Sequence, residues 1–326
     1  MHHSAERAIP RSSVDTTVTI RNVTFANPVL TASGTFGYGL ECPELVDVSK
    51  LGAVVTKSIS RKPRPGNPPQ RIAETAAGML NSIGLANVGV DVFIAEKLPA
   101  LRAAGATTIV NIAASSIAEY CEVLEMCDEQ EGVDGYEINV SCPNVKDGGL
   151  SFGTDCPAVG QITRELRRRT DKMLAIKLTP NVTSIGDFAR ACEAEGADAV
   201  SCVNTFVGMD IFVESRRPKI ATITGGFSGP AILPMALAKV WEVSKAVAIP
   251  VIGIGGIMTA EDALKFLIVG ASLIQVGTAL FVDPGCGVTI ADGIADYMAR
   301  HGIAEMSELI GSMDTSLQPS LVAAGW

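Results

Sequence analysis

The stretch EINVSCPNVKDGG, residues 137–149, sets Cys142 between strand-forming residues and a glycine-rich loop. A thiol there could pack, ligate a metal or react. Metal ligation lacks partners: the eight cysteines contain no C-x-x-C pair, and the only histidines are His2, His3 and His301. Packing is the usual fate of a cysteine. One that precedes proline just past a strand end is poorly placed to fill a core. Ser141 and Asn144 are its polar neighbours.

Two lysines, Lys57 and Lys177, end apolar runs, where a buried ammonium is costly unless it meets an anion. A structural ion pair is one reading. A cationic partner for the N1–O2 edge of a flavin is a second, and a Schiff-base lysine at Lys177, as in an aldolase, a third. Asn81, Asn111, Asn139, Asn144 and Asn204 fall at strand ends or in a long loop. Each offers a donor and an acceptor, which suits a planar ligand rich in amide edges, such as a pyrimidine. In VIGIGGIMTAEDAL, glycines end a strand and Thr259 to Asp262 opens a helix, so backbone N–H groups can converge on a phosphate. Gly253, Gly255 and Gly256 lack the G-x-G-x-x-G spacing of a dinucleotide site.

These residues need a scaffold that gathers them. Short β-branched runs alternate with stretches of helical period, which predicts strands at 28–33, 52–58, 107–113, 135–141, 173–178, 198–204, 250–254 and 272–277. Helices fall between them, for example at 184–196, where Ser184 can cap the first turn and Gly196 can end the last. Eight such units in about 250 residues fit an α/β fold of the closed (β/α)₈ type. Each strand then ends on a polar or glycine residue at one face: Ser33, Lys57, Asn111, Asn139 with Cys142, Lys177, Asn204 with Thr205, Gly255-Gly256 and Gly277-Thr278. One such residue is ordinarily a turn or a strand cap. Together they describe one site at the C-terminal face of a barrel.

TVTIRNVTF predicts a small hairpin before the barrel, as a plug for its floor. Two connections are too long for turns: residues 59–89, with four prolines, and residues 206–230, with a predicted second hairpin. Residues 1–16 read as a polar arm and residues 17–326 as one barrel domain.

Composition excludes several classes. Hydrophobic residues at 47% against 19% charged support a sizeable core rather than disorder. A net charge of −9, from 35 acidic and 26 basic residues, argues against nucleic acid as the partner. The one basic cluster, Arg167 to Arg169, is predicted to be a solvated helix face. No apolar run reaches the roughly 18 to 20 residues that span a bilayer, and the N-terminus lacks the apolar stretch of a signal peptide. A cytoplasmic protein with reduced thiols, no membrane association and no metal is expected.

The segments LTASGTFGYG, VVTKSIS, GNPPQRIAETAAGMLNSIGLAN, NVSCPNVKDGG, IKLTPNV, VNT, TGGFSGPAI, IGIGGI and VGTALFVDP occur in order along the chain. Together they resemble the catalytic subunit of class 1B dihydroorotate dehydrogenases, from about Thr17 to the last helix. The resemblance implies an FMN-containing barrel that oxidises (S)-dihydroorotate to orotate in pyrimidine synthesis, with Cys142 as the base. It implies FMN contacts at Ser33, Lys57, Ser58, Asn111, Asn139, Lys177, Val203, Gly229, Gly255, Gly256, Gly277 and Thr278. Substrate contacts are implied at Lys57, Asn81, Ser82, Ile83, Gly84, Leu85, Asn139, Asn204 and Thr205. It further implies a partner subunit with FAD and a [2Fe–2S] cluster that passes electrons to NAD⁺, on a homodimer core within a heterotetramer. Membrane-bound relatives use serine as the base and carry an N-terminal membrane helix; this chain has Cys142 and no such helix. Thr35 and Thr278-Ala279-Leu280 depart from the expected Cys and Thr-Ala-Asn. A fumarate-dependent class 1A enzyme, a flavin barrel acting on another dihydropyrimidine, and a non-redox aldolase or isomerase barrel remain open at this point.

Overall fold

In the computed structural model, residues 8–141 and 152–316 are described. Eight parallel strands form the central sheet: β1 (Val29–Thr31), β2 (Val54–Val55), β3 (Thr108–Ile112), β4 (Gly135–Asn139), β5 (Met173–Leu178), β6 (Ala199–Cys202), β7 (Val251–Ile254) and β8 (Leu273–Val276). Their order around the sheet is β1-β8-β7-β6-β5-β4-β3-β2. The Gly52 N–H donates to Val29 O at 2.8 Å and the Thr31 N–H to Ala53 O at 3.2 Å, which closes β2 onto β1. All eight predicted strands are present, in a (β/α)₈ barrel. Most are trimmed at their C-terminal ends, where the chain leaves the ladder and hands its last residues to the site.

Alternation along each strand decides what fills the barrel. At the floor, Leu30, Val55, Ile109, Ala175, Ala199, Ile252 and Leu273 are buried together with Ile20, Val23 and Phe25. The last three belong to the predicted hairpin, Val18–Ile20 paired with Val23–Phe25, which plugs the barrel from below. Two residues further along the strands the interior turns polar, with Asn111, Glu137, Lys177, Ser201 and Gln275 all buried. One more step of the alternation reaches Asn139, Val203 and Gly277, which open on the C-terminal face. The same period-2 rule thus builds an apolar floor, a polar layer and a mouth.

Both long connections fold into one antiparallel sheet beside that mouth. Its order is Phe206–Met209, Thr224–Ser228, Gly78–Asn81 and Ile72–Thr75. The predicted second hairpin is present, and Ile211–Phe212 with Arg217–Pro218 extends its tip.

Two local expectations need correction. Ser184 precedes the helix Ile185–Ala194, yet its side chain makes no capping bond. Arg167 is not solvated: its guanidinium pairs with Asp198 at 2.6 Å and donates to Lys172 O at 2.9 Å, while Arg168 and Arg169 are exposed as expected. The described part of the polar arm lies against the last long helix, Cys286–Arg300, where Arg11 pairs with Asp292 and Asp296 and the Ile9 N–H donates to Ala299 O. No described helix is long and apolar enough to cross a membrane.

Candidate active site

A cavity of about 950 Å³ opens at the C-terminal face, walled on one side by the four-stranded sheet. Every described residue singled out from the sequence as a site residue lines it: the strand-end set from Ser33 round to Thr278, and the loop set from Asn81 to Leu85. Cys142 and Asn144 lie outside the described residues, although Ser141, immediately before Cys142, lines the cavity. The Ser141 and Ser82 hydroxyls are buried there without a hydrogen-bond partner among the described residues.

One end of the cavity is made for an anion. After β7 the chain turns through Gly255 (φ +138°) and Gly256 (φ +73°), and a Cβ on Gly255 would stand 2.5 Å from Ala236 Cβ. Only glycine fits there, since a side chain would be strained as well as overlapped. Among the described residues the backbone N–H groups of Gly256 and Thr278 donate to no protein acceptor. Thr278 Oγ1 lies 2.9 Å from Ser228 Oγ, which ties β8 to the covering sheet. Orphaned N–H groups beside glycine turns fit a phosphate. The helix Ala260–Val269 follows, with Thr259 and Asp262 completing a reciprocal capping box.

The floor carries the two lysines, and they differ. Lys177 Nζ lies 3.3 Å from Glu137 Oε1 and 3.4 Å from Gln275 Oε1, so the ion-pair reading holds for it while it also lines the cavity. The Lys57 ammonium makes no ion pair or side-chain hydrogen bond among the described residues. Burial, together with the nearby positive charge of Arg71, pushes its pKa below the usual lysine value, with Glu41 opposing. A half-buried cation without a counter-ion is a receptor for an anion.

Amides line the middle of the cavity. Ser58 donates to Asn111 Oδ1 at 2.6 Å, and Asn111 Nδ2 donates to Glu137 Oε1 at 2.7 Å, which fixes the orientation of Asn111. Asn204 Nδ2 donates to Asn139 Oδ1 at 3.2 Å, and Asn81 Nδ2 to Gly226 O at 3.3 Å. Sequence reasoning missed Asn67, which lines the cavity and donates to Ser82 O, and the whole of the layer below, Glu137, Ser201 and Gln275. The available signal is Glu137 itself, the one charged residue of its strand, set between Tyr136 and Ile138. Among the described residues no three His, Cys, Asp or Glu side chains group as metal ligands.

A closed barrel with an anion corner, an amide-lined chamber and two cations on its floor defines a class: a barrel enzyme that holds a phosphate-bearing group beside a small polar ring. The family model described as "Dihydroorotate dehydrogenase" matches residues 15–298. The chain is 53% identical over 299 residues to the protein named dihydroorotate dehydrogenase B (NAD(+)), catalytic subunit, of Geotalea daltonii, covering 92% of this chain and 98% of that one. Proteins of the same name from Geotalea uraniireducens and Pelobacter propionicus are each 52% identical, over 92% of this chain and 99% of theirs. The chain belongs to the dihydroorotate dehydrogenase family.

Proposed function

We propose that this chain is the FMN-binding catalytic subunit of an NAD⁺-linked dihydroorotate dehydrogenase, oxidising (S)-dihydroorotate to orotate in pyrimidine synthesis in the cytoplasm. The observation that carries the reading is the half-buried Lys57, unpaired among the described residues, in a chamber lined by Asn81, Asn111, Asn139 and Asn204 whose far end is an anion corner. Orotate and dihydroorotate are a carboxylate on a ring of amides. FMN fits the rest: the Gly256 and Thr278 N–H groups suit its phosphate, and Lys177 and Asn111 suit the polar edge of its ring.

When bound, FMN supplies the acceptor for the hydride from C6. Lys57 holds the substrate carboxylate, and Asn81, Asn139 and Asn204 hold the ring amides. Cys142 takes the proton from C5 as general base. The sheet formed by residues 72–81 and 206–228 shields the chamber from water on one side. The relatives' names, with NAD(+) and "catalytic subunit", support a second subunit that completes electron transfer. Our reading gives that partner FAD and a [2Fe–2S] cluster, on a homodimer of this chain within a heterotetramer.

The test is substrate choice with an artificial dye as acceptor. Purified yellow protein should turn over dihydroorotate and leave dihydrouracil untouched. Turnover of dihydrouracil instead would move the chain to another dihydropyrimidine. A colourless protein that binds no FMN would overturn the reading.

A further inference from the structure

Beneath the cavity floor, Glu137 on β4 is 1% exposed and accepts from four side chains on four different strands or strand ends. Asn111 Nδ2 (2.7 Å) and Lys177 Nζ (3.3 Å) meet Oε1; Ser201 Oγ (2.8 Å) and Gln275 Nε2 (2.5 Å) meet Oε2. Gln275 also accepts from Lys177 through Oε1 at 3.4 Å. Of the four donors only Lys177 is charged, and Lys177 forms its one ion pair among the described residues with Glu137.

Burial of such a pair is weak evidence for stability, since well-packed apolar residues often serve as well. What this network does is select directions. An ammonium has three N–H donors. Glu137 and Gln275 take two of those of Lys177, and the third is left for the cavity that Lys177 lines. Asn111 is held likewise: Ser58 occupies its oxygen, Glu137 takes one N–H, and the other N–H remains for the cavity. Glu137 does not itself line the cavity. Its carboxylate holds the Lys177 ammonium at 3.3 Å from outside the cavity lining, so Lys177 offers the cavity less than a full charge.

We propose that Glu137 is a positioning residue that sets the reduction potential of the bound flavin, by aiming Lys177 and Asn111 at its ring and by sharing the Lys177 cation with it. The inference rests on the flavin reading above. Reduction adds negative charge to the ring, and a nearby cation favours the reduced form in proportion to the charge it offers. A carboxylate behind that cation weakens the effect.

The experiment is an equilibrium redox titration of the flavin-bound protein as purified, with FMN affinity measured in parallel. Glu137→Gln keeps the volume and an oxygen that can still accept from Lys177 and Asn111, so it removes the charge but not the aim, and the midpoint potential of its flavin should shift upward from that of wild type. Glu137→Asp keeps the charge but withdraws it by one methylene; a smaller upward shift is expected, and this variant decides the matter if Glu137→Gln does not fold. A Glu137 that only supports the fold would alter yield or FMN affinity and leave the potential of the bound flavin where it was. An unchanged or lowered potential in the folded variants overturns the proposal. Wild-type protein that binds no flavin would instead overturn the flavin reading, so the two failures are distinct.

Discussion

Asn204 donates from Nδ2 to Asn139 Oδ1 at 3.2 Å, joining the ends of β6 and β4 across the cavity. The same Asn139 oxygen accepts from the Ser141 N–H at 3.2 Å, and Asn204 Oδ1 accepts from the Thr205 N–H at 2.8 Å. With both oxygens engaged, the two amides offer N–H groups to a ligand. Donors are what the oxygens of an orotate ring and carboxylate require.

Loss of Asn204 therefore removes one ligand contact and frees Asn139 to turn. Asn204→Ala should weaken orotate binding by about 1–3 kcal/mol, with Asn81→Ala in the same range and the flavin spectrum nearly unchanged. Titration of the flavin difference spectrum with orotate measures both. Wild-type affinity in the two variants would remove these residues from the site.

Orotate affinity should also depend on pH through Lys57. Burial and Arg71 lower its pKa, so the ammonium is lost at a lower pH than an ordinary lysine would lose it. Orotate stays anionic, and its dissociation constant should rise as pH climbs toward and past that lowered value. Lys57→Met should bind orotate more weakly at neutral pH by about 1.5–3 kcal/mol, since a charged hydrogen bond is lost. Its alkaline limb should be flat. A wild-type limb that survives in Lys57→Met would assign the dependence to another group.

Cys142 lies outside the described residues, so its role rests on its neighbours: Ser141 lines the cavity and Asn139 is two residues further back. Cys142→Ala should retain FMN and slow flavin reduction by dihydroorotate by roughly 10²–10⁴-fold, the usual contribution of a general base. Cys142→Ser should recover part of the rate at high pH. Flavin reduction at the wild-type rate in stopped flow would make Cys142 a packing residue.

How far the sequence discloses this site follows from the range of the interactions that build it. Strands such as Met173–Leu178 are legible because β-branched and apolar runs are local signals, and their terminal residues, such as Lys177, come with them. Glu137 is not legible in the same way because a side chain in mid-strand has two faces, and only the closed barrel brings Ser201 and Gln275 to the same carboxylate. The sheet over the mouth is likewise non-local. IAETAAGMLN lacks a clear alternation, and Asn81 pairs with Gly226, 145 residues away. Asn67 sits in a proline-rich loop whose path depends on that sheet, so its place at the cavity has no local signal.

Electron disposal gives a further prediction. The chain has no dinucleotide fingerprint and no cysteine spacing suited to an iron–sulfur cluster. Alone it should reduce artificial dyes but not NAD⁺, and gain NAD⁺ reduction when its electron-transfer subunit is added. Steady-state assays with each acceptor, with and without the partner, measure this. Fumarate reduction at a comparable rate by the chain alone would favour a class 1A enzyme, and direct NAD⁺ reduction would refute the partner.

The central claim is that this barrel moves two electrons from dihydroorotate to its own FMN. Anaerobic mixing of the purified chain with dihydroorotate, without any acceptor, tests it most directly. The visible flavin absorption should bleach in a single exponential phase and yield one orotate per flavin. Unchanged absorption in flavin-loaded, folded protein, or bleaching without orotate, would contradict the account.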